Sequence, residues 1–163
     1  MNQSLGTLQV TTPSDREIVM TRAFDAPREL VFEAWTRPEH VREWWGRHGS
    51  TMLVCEAEVR PGGSWRYVTT GSEGEEVPFK GVYSEVTPPE RLVYTEVYDV
   101  APFNAADPAV NTAIFSEEDG RTVLTVTTVY PSKEVRDFVL GTGMEAGAAE
   151  SLDRLADLLK RLA

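Results

Sequence analysis

Residues 132–163, SKEVRDFVLGTGMEAGAAESLDRLADLLKRLA, decide the fold. Val135, Phe138, Val139, Thr142, Ala146, Ala149, Leu152, Leu155, Leu159 and Leu162 recur at helical spacing, and Ser132 stands where an N-cap belongs. The pattern predicts one long helix of about thirty residues at the C-terminal end. Its middle, GTGMEAGAA (141–149), holds Gly141, Gly143 and Gly147 among alanines. Each glycine costs about 0.5–1 kcal/mol relative to alanine inside a helix. A helix built to fill a curved sheet would carry Leu, Ile or Phe there. The small residues Gly147 and Ala148, with Met144 beside them, predict an underfilled groove.

What the helix covers is written upstream. REIVMTRAF (16–24) reads as a strand, and two short helices follow it, one from about Pro27 to Trp35 and one over PEHVREWW (38–45). Asp25 stands ready to cap the first, and Gly46 ends the second. Six further strand-like runs follow: TMLVCEAEV, SWRYVTT, PFKGVYSEV, RLVYTEVYDV, NTAIFSE and RTVLTVTTVY. Gly-, Pro- and acid-rich breaks separate them, as in an antiparallel meander. The expectation is an α+β fold with a curved seven-stranded antiparallel sheet, two short helices after strand 1, and a long C-terminal helix on the apolar face. A polar arm over 1–15 precedes a single domain over 16–163.

The sheet supplies large side chains at alternating positions. Trp65 and Tyr67 share one face, Tyr94, Glu96 and Tyr98 another, and Phe79, Tyr83 and Tyr130 add to them. Two readings stay open: aromatic core packing, or a pocket whose hydroxyls and indole N–H groups act as polar handles. Glu96 bears on the choice, because an inward carboxylate needs a partner, a raised pKa or water. A bulge would turn it outward instead. Three of the four tryptophans lie within residues 35–45. Trp35 reads as packing beneath the first short helix. Trp44 and Trp45, about 100° apart on a helix, cannot both point inward, so one lies nearer the rim.

Sixteen basic residues face twenty-six acidic ones, a formal charge of -10. That balance excludes nucleic acid as an expected partner and disfavours an anionic membrane surface. No run approaches the roughly 20 apolar residues of a membrane span. No signal peptide is visible and Cys55 is the only cysteine, which points to the cytoplasm. His40 and His48 lack acidic or thiol partners at useful spacing and read as surface residues. No cluster suggests a metal, and no cofactor is expected. Glu96 with Tyr94 or Tyr98 is the one inward acid–base set the sequence offers, and no catalytic residue is assigned.

Several ordered segments, APRELVFEAWTRPEHVREWWG, EVRPGGSWRY, FKGVYSEVTPPERLVYT, TVLTVTTVY and GMEAGAAESLDRLADLL, closely resemble the activator of heat-shock-protein ATPase homologue (AHSA-type) family of the START-like (SRPBCC) superfamily. The resemblance runs from about Arg16 to Leu162. It implies the helix-grip fold and an apolar cavity between sheet and long helix. It also implies a small hydrophobic molecule as ligand, with a polyketide-cyclase-like enzyme as the alternative. A chaperone partner, met through the outer surface, is the least favoured reading, and a homodimer is left open. The implied cavity and mouth take in Trp44, Trp45, Trp65, Tyr67, Phe79, Tyr83, Tyr94, Glu96, Tyr98, Tyr130, Met144, Gly147 and Ala148. Many relatives carry Gly-Trp where this chain has Gly147-Ala148, which would widen the cavity.

Overall fold

Alternating apolar positions and turn-forming breaks produce the strands where the sequence placed them. The computed structural model describes residues 7–47 and 49–163. Residues 1–6 of the expected arm, and His48, lie outside the described residues. The strands are β1 (Gln9–Thr11), β2 (Glu17–Phe24), β3 (Met52–Ala57), β4 (Ser64–Thr70), β5 (Glu76–Thr87), β6 (Arg91–Tyr98), β7 (Ala109–Glu118) and β8 (Arg121–Val129). They form one antiparallel sheet in the order β1-β2-β8-β7-β6-β5-β4-β3. The sheet has eight strands rather than the expected seven. The extra one, β1, lies in the arm, where Gln9, Val10 and Thr11 pair with Thr21, Met20 and Val19. Three residues without an apolar alternation give no strand signal of their own, and the neighbouring edge of β2 supplies it.

The two short helices are α1 (Arg28–Thr36) and α2 (Pro38–Trp44). Asp25 does not cap α1. Pro27 takes the cap position, and the free N–H of Arg28 donates to Glu117 Oε1 at 2.9 Å. Pro38 opens α2, where a missing N–H costs nothing.

The C-terminal segment departs from the single-helix expectation. It forms α3 (Lys133–Leu140) and α4 (Met144–Leu162), separated by Gly141-Thr142-Gly143. Ser132 caps α3 as expected, its Oγ accepting from the Val135 N–H at 3.1 Å. The N–H of Gly141 closes that helix on the carbonyls of Asp137 and Phe138, and Gly143 turns the chain at φ 79°. Apolar periodicity runs through the break. Backbone conformation ends the helix there, since a positive φ is cheap only for glycine. The first half of the expected stripe is consequently not buried: Phe138 is 51% exposed, and Thr142 and Ala146 are exposed. The buried stripe is Leu152, Leu155, Leu158 and Leu159.

Two contacts hold α4 over the sheet. Arg154 reaches the C-terminal end of α2, donating to the carbonyls of Glu43 (3.0 Å) and Gly46 (3.1 Å). Ser151 Oγ accepts from the Gly46 N–H and donates to the Gly46 carbonyl. These bonds satisfy carbonyls that a helix end leaves open. On the other side, buried Arg22 of β2 pairs with Asp153 at 2.7 Å and lies over the Phe24 ring, while its Nε has no partner. Beneath α4, the leucines share one core with Leu92, Ala113, Phe115, Leu124 and Val126 of the sheet and with Val31, Phe32, Val41 and Trp44 of the short helices.

Gly81 marks a close approach within the sheet. The Trp65 indole crosses it to donate to the Thr95 carbonyl at 3.1 Å, and a Cβ at 81 would overlap both that oxygen and the indole nitrogen. Gly81→Ala is expected to cost about 3 kcal/mol by overpacking, read as a lower chemical-denaturation midpoint. Gly143→Ala is expected to cost about 1–2 kcal/mol through its left-handed backbone, on the same measurement.

Candidate functional site

Strand register determines which side chains face α4. Tyr94 pairs with Asn111 and Asn111 with Thr128, so the three occupy one row of the concave face. Leu92, Ala113 and Val126 form the row toward the other end, and Glu96 and Tyr130 lie on the side of Tyr98. Burial along these strands is graded. Leu92, Ala113, Phe115, Leu124 and Val126 are sealed beneath the leucines of α4. Tyr94, Glu96, Tyr98 and Tyr130 are half-buried, and so are Met144 and Ala148, which continue the leucine stripe of α4 toward its N-terminal end at helical spacing. Burial is complete at the leucine end of the grip and partial at the other. The switch from leucine to alanine along α4 coincides with the change.

Glu96 faces inward, which settles the open question of its register. Thr128 Oγ1 donates to Asn111 Oδ1 at 2.5 Å, and Asn111 Nδ2 donates to Glu96 Oε1 at 2.8 Å. With its oxygen on the Thr128 hydroxyl, Asn111 turns its amide nitrogen to the carboxyl. Oε1 of Glu96 is therefore held as an acceptor, and Oε2 is the oxygen left to carry a proton or meet a ligand. Burial raises the Glu96 pKa above the ordinary carboxylate range, and the bond from Asn111 opposes the shift. Tyr94 and Tyr130 have hydroxyl pKa values raised first by burial and then by the nearby Glu96 charge.

The aromatic residues divide into two groups. Trp44 is 2% exposed and donates its indole N–H to the Ala34 carbonyl at 2.8 Å, so it is core. Trp65, Tyr67 and Tyr83 are also buried. Tyr67 and Tyr83 are hydrogen-bonded to one another, and the Tyr83 hydroxyl is pushed up to about 12, chiefly by burial. Trp45 is the partner nearer the rim. It meets Tyr67 at 5.0 Å and Phe79 at 6.3 Å and remains partly accessible. From there Phe79, Tyr98, Phe103 and Phe138 follow ring to ring at 5.3, 5.6 and 5.0 Å, which carries the aromatic surface out to α3.

Gly147 does not face the groove. The space that a Cβ would occupy there holds the Arg47 guanidinium, 3.1 Å away, and Arg47 Nη2 donates to the Gly143 carbonyl at 3.0 Å. The small face at 143 and 147 is a seat for an arginine, and only Ala148 thins the sheet-facing side.

Asn111 and Thr128 went unnoticed in the sequence, and Trp35 was read only as packing. Trp35 is half-buried, stacks at 4.9 Å on Trp44 and hydrogen-bonds Tyr94, so it belongs to the groove wall as well as to the packing. The signal for Asn111 and Thr128 was present: two polar residues at inward positions of otherwise apolar strands. Among the described residues, no His, Cys, Asp and Glu group is arranged to hold a metal ion. Among those residues, no helix is long and apolar enough to cross a membrane.

The family model described as Activator of Hsp90 ATPase homolog 1-like protein matches residues 25–160. No curated protein matches the sequence. Among solved structures, a protein of Rhodobacter sphaeroides is 27% identical, covering 96% of this chain and 100% of that one, with a TM-score of 0.86. Protein Ms6760 of Mycobacterium smegmatis is 25% identical over 94% of this chain and 97% of its own, with a TM-score of 0.84. The AHSA1 protein of Silicibacter pomeroyi, at 20% identity over 90% of this chain and 99% of its own (TM-score 0.73), shares the fold. The chain belongs to the Activator of Hsp90 ATPase homolog 1-like family and has the START-like helix-grip fold.

Proposed function

We propose that the protein binds a small hydrophobic molecule in the open half of the groove between sheet and α4. The observation that carries this reading is the graded burial. Large aromatic side chains that face α4 are left partly uncovered where α4 carries alanine instead of leucine. Burial of the ligand supplies the affinity, at about 25 cal/mol per Å2 of apolar surface removed from water. The polar chain ending at Glu96 orients it. The unpaired, buried thiol of Cys55, which donates to the Pro38 carbonyl at 3.4 Å, agrees with a cytoplasmic site of action.

One observation favours a second reading, a metal-free enzyme of cyclase type. Asn111 leaves a single oxygen of Glu96 free for proton exchange, beside Tyr94 and Tyr130. Chemical change of an extracted ligand by the native protein, absent with Glu96→Gln, would select it.

Ala148→Leu extends the leucine stripe into the open half. It is expected to leave the fold and its stability within about 1.5 kcal/mol. Uptake of a hydrophobic fluorescent probe is expected to fall at least severalfold. Undiminished uptake by a well-folded variant would refute the groove as the binding site.

Glu96 also predicts a pH dependence. Its folded pKa lies above the unfolded value of about 4.3. The folded state thus holds an extra proton between the two values, and stability falls as pH rises through that window. Glu96→Gln is expected to raise the denaturation midpoint near pH 7.5, with the gain vanishing below about pH 4. Such a gain identifies Glu96 as a residue the fold does not need.

A further inference from the structure

We propose that the ligand is a hydrophobic amine, an apolar body whose protonated amino group docks on Oε2 of Glu96. The inference rests on the groove-binding reading above.

The carboxyl has a rigid hydrogen-bonded mount and no counter-charge. Its mount, Thr128 to Asn111 to Oε1, is neutral throughout. The groups placed beside it are Tyr94 from β6, Asn111 from β7, and Thr128 and Tyr130 from β8 and its end. Tyr83 of β5 and Trp35 of α1 stand behind Tyr94. The groove-facing residues of α4 at this end, Met144 and Ala148, are uncharged. Buried Arg136 of α3 is committed to Asp137 and to the Ser14 carbonyl, and buried Arg22 pairs with Asp153 and lies opposite Leu124. That is four residues, about 13 Å, along β8 from Thr128. No described lysine or arginine contributes to the Glu96 shift. A buried carboxylate without a partner is costly, and a ligand cation supplies the missing charge.

Two further features point the same way. Two tyrosines, Tyr94 and Tyr130, lie close enough to Glu96 to feel its charge, and aromatic rings beside a carboxylate favour an ammonium group. The net charge of -10 draws cations and repels carboxylates and phosphates at long range. A fatty acid would place a second anion beside Glu96. An amine satisfies carboxylate, rings and overall field together.

The test uses three probes with one aromatic body: 2-(1-naphthyl)ethylamine, 2-(1-naphthyl)ethanol and 1-naphthylacetate. Their affinities for the full chain are measured by calorimetry at pH 7.5. The amine is expected to bind about tenfold or more tighter than the alcohol, the usual scale of a charge-assisted bond, with the acid weakest. Glu96→Gln is expected to bring amine and alcohol within about twofold of each other by loss of amine binding alone. In the native protein, amine affinity should fall as pH drops through the raised Glu96 pKa, while alcohol affinity stays flat. That comparison decides the matter even if the variant does not fold. Equal binding of amine and alcohol, preference for the acid, a preference surviving Glu96→Gln, or parallel pH profiles would each overturn the amine assignment while leaving the groove intact. If no probe binds, the groove reading falls and the amine assignment with it.

Discussion

The structure depends on how α4 is held. Its C-terminal half is driven into the core by four leucines and fastened to the end of α2 by Arg154 and Ser151. Its N-terminal half lacks an apolar side chain longer than alanine on the sheet-facing stripe until Met144. Large side chains are therefore fully buried under the leucine end of the grip and only half-buried at the other. The core joins the short helices, α4 and the sheet into one body.

The polar chain of Thr128, Asn111 and Glu96 is set against this background. Three polar groups at inward positions of adjacent strands are not what a purely structural sheet face carries. They are mutually bonded except at one carboxyl oxygen, so the residual cost is concentrated on Glu96. Local rules broken at one place, amid strands that obey them elsewhere, are expected at functional sites. The aromatic walls and the acidic surface charge complete a setting suited to an apolar ligand with a positive end.

The sequence was most legible where a pattern is local. Alternation in RTVLTVTTVY and RLVYTEVYDV placed β8 and β6, and the Trp44-Trp45 angle correctly required one indole inside and one near the rim. It was least legible where a remote neighbour decides. Gly147 read as empty space because nothing local announces that Arg47 would fill it. The helix break at Gly141–Gly143 was hidden by an apolar period that continues across it. The strand Gln9–Thr11 exists only by pairing with β2. Asn111 and Thr128 looked ordinary until the register set them beside Glu96.

By itself the sequence determined the order of the elements, the antiparallel sheet, the leucine face of the last helix and its small-residue N-terminal end. These follow from residue-to-residue periodicity, which propensity and side-chain direction convert directly into local structure. The tertiary structure alone decided that Glu96 points inward, that Asn111 turns its amide nitrogen to it, and that Arg47 fills the space beside Gly147. Such outcomes depend on strand register and on contacts between residues far apart in the chain. Alternation assigns residues to a face, and only the assembled sheet and helix determine what that face meets.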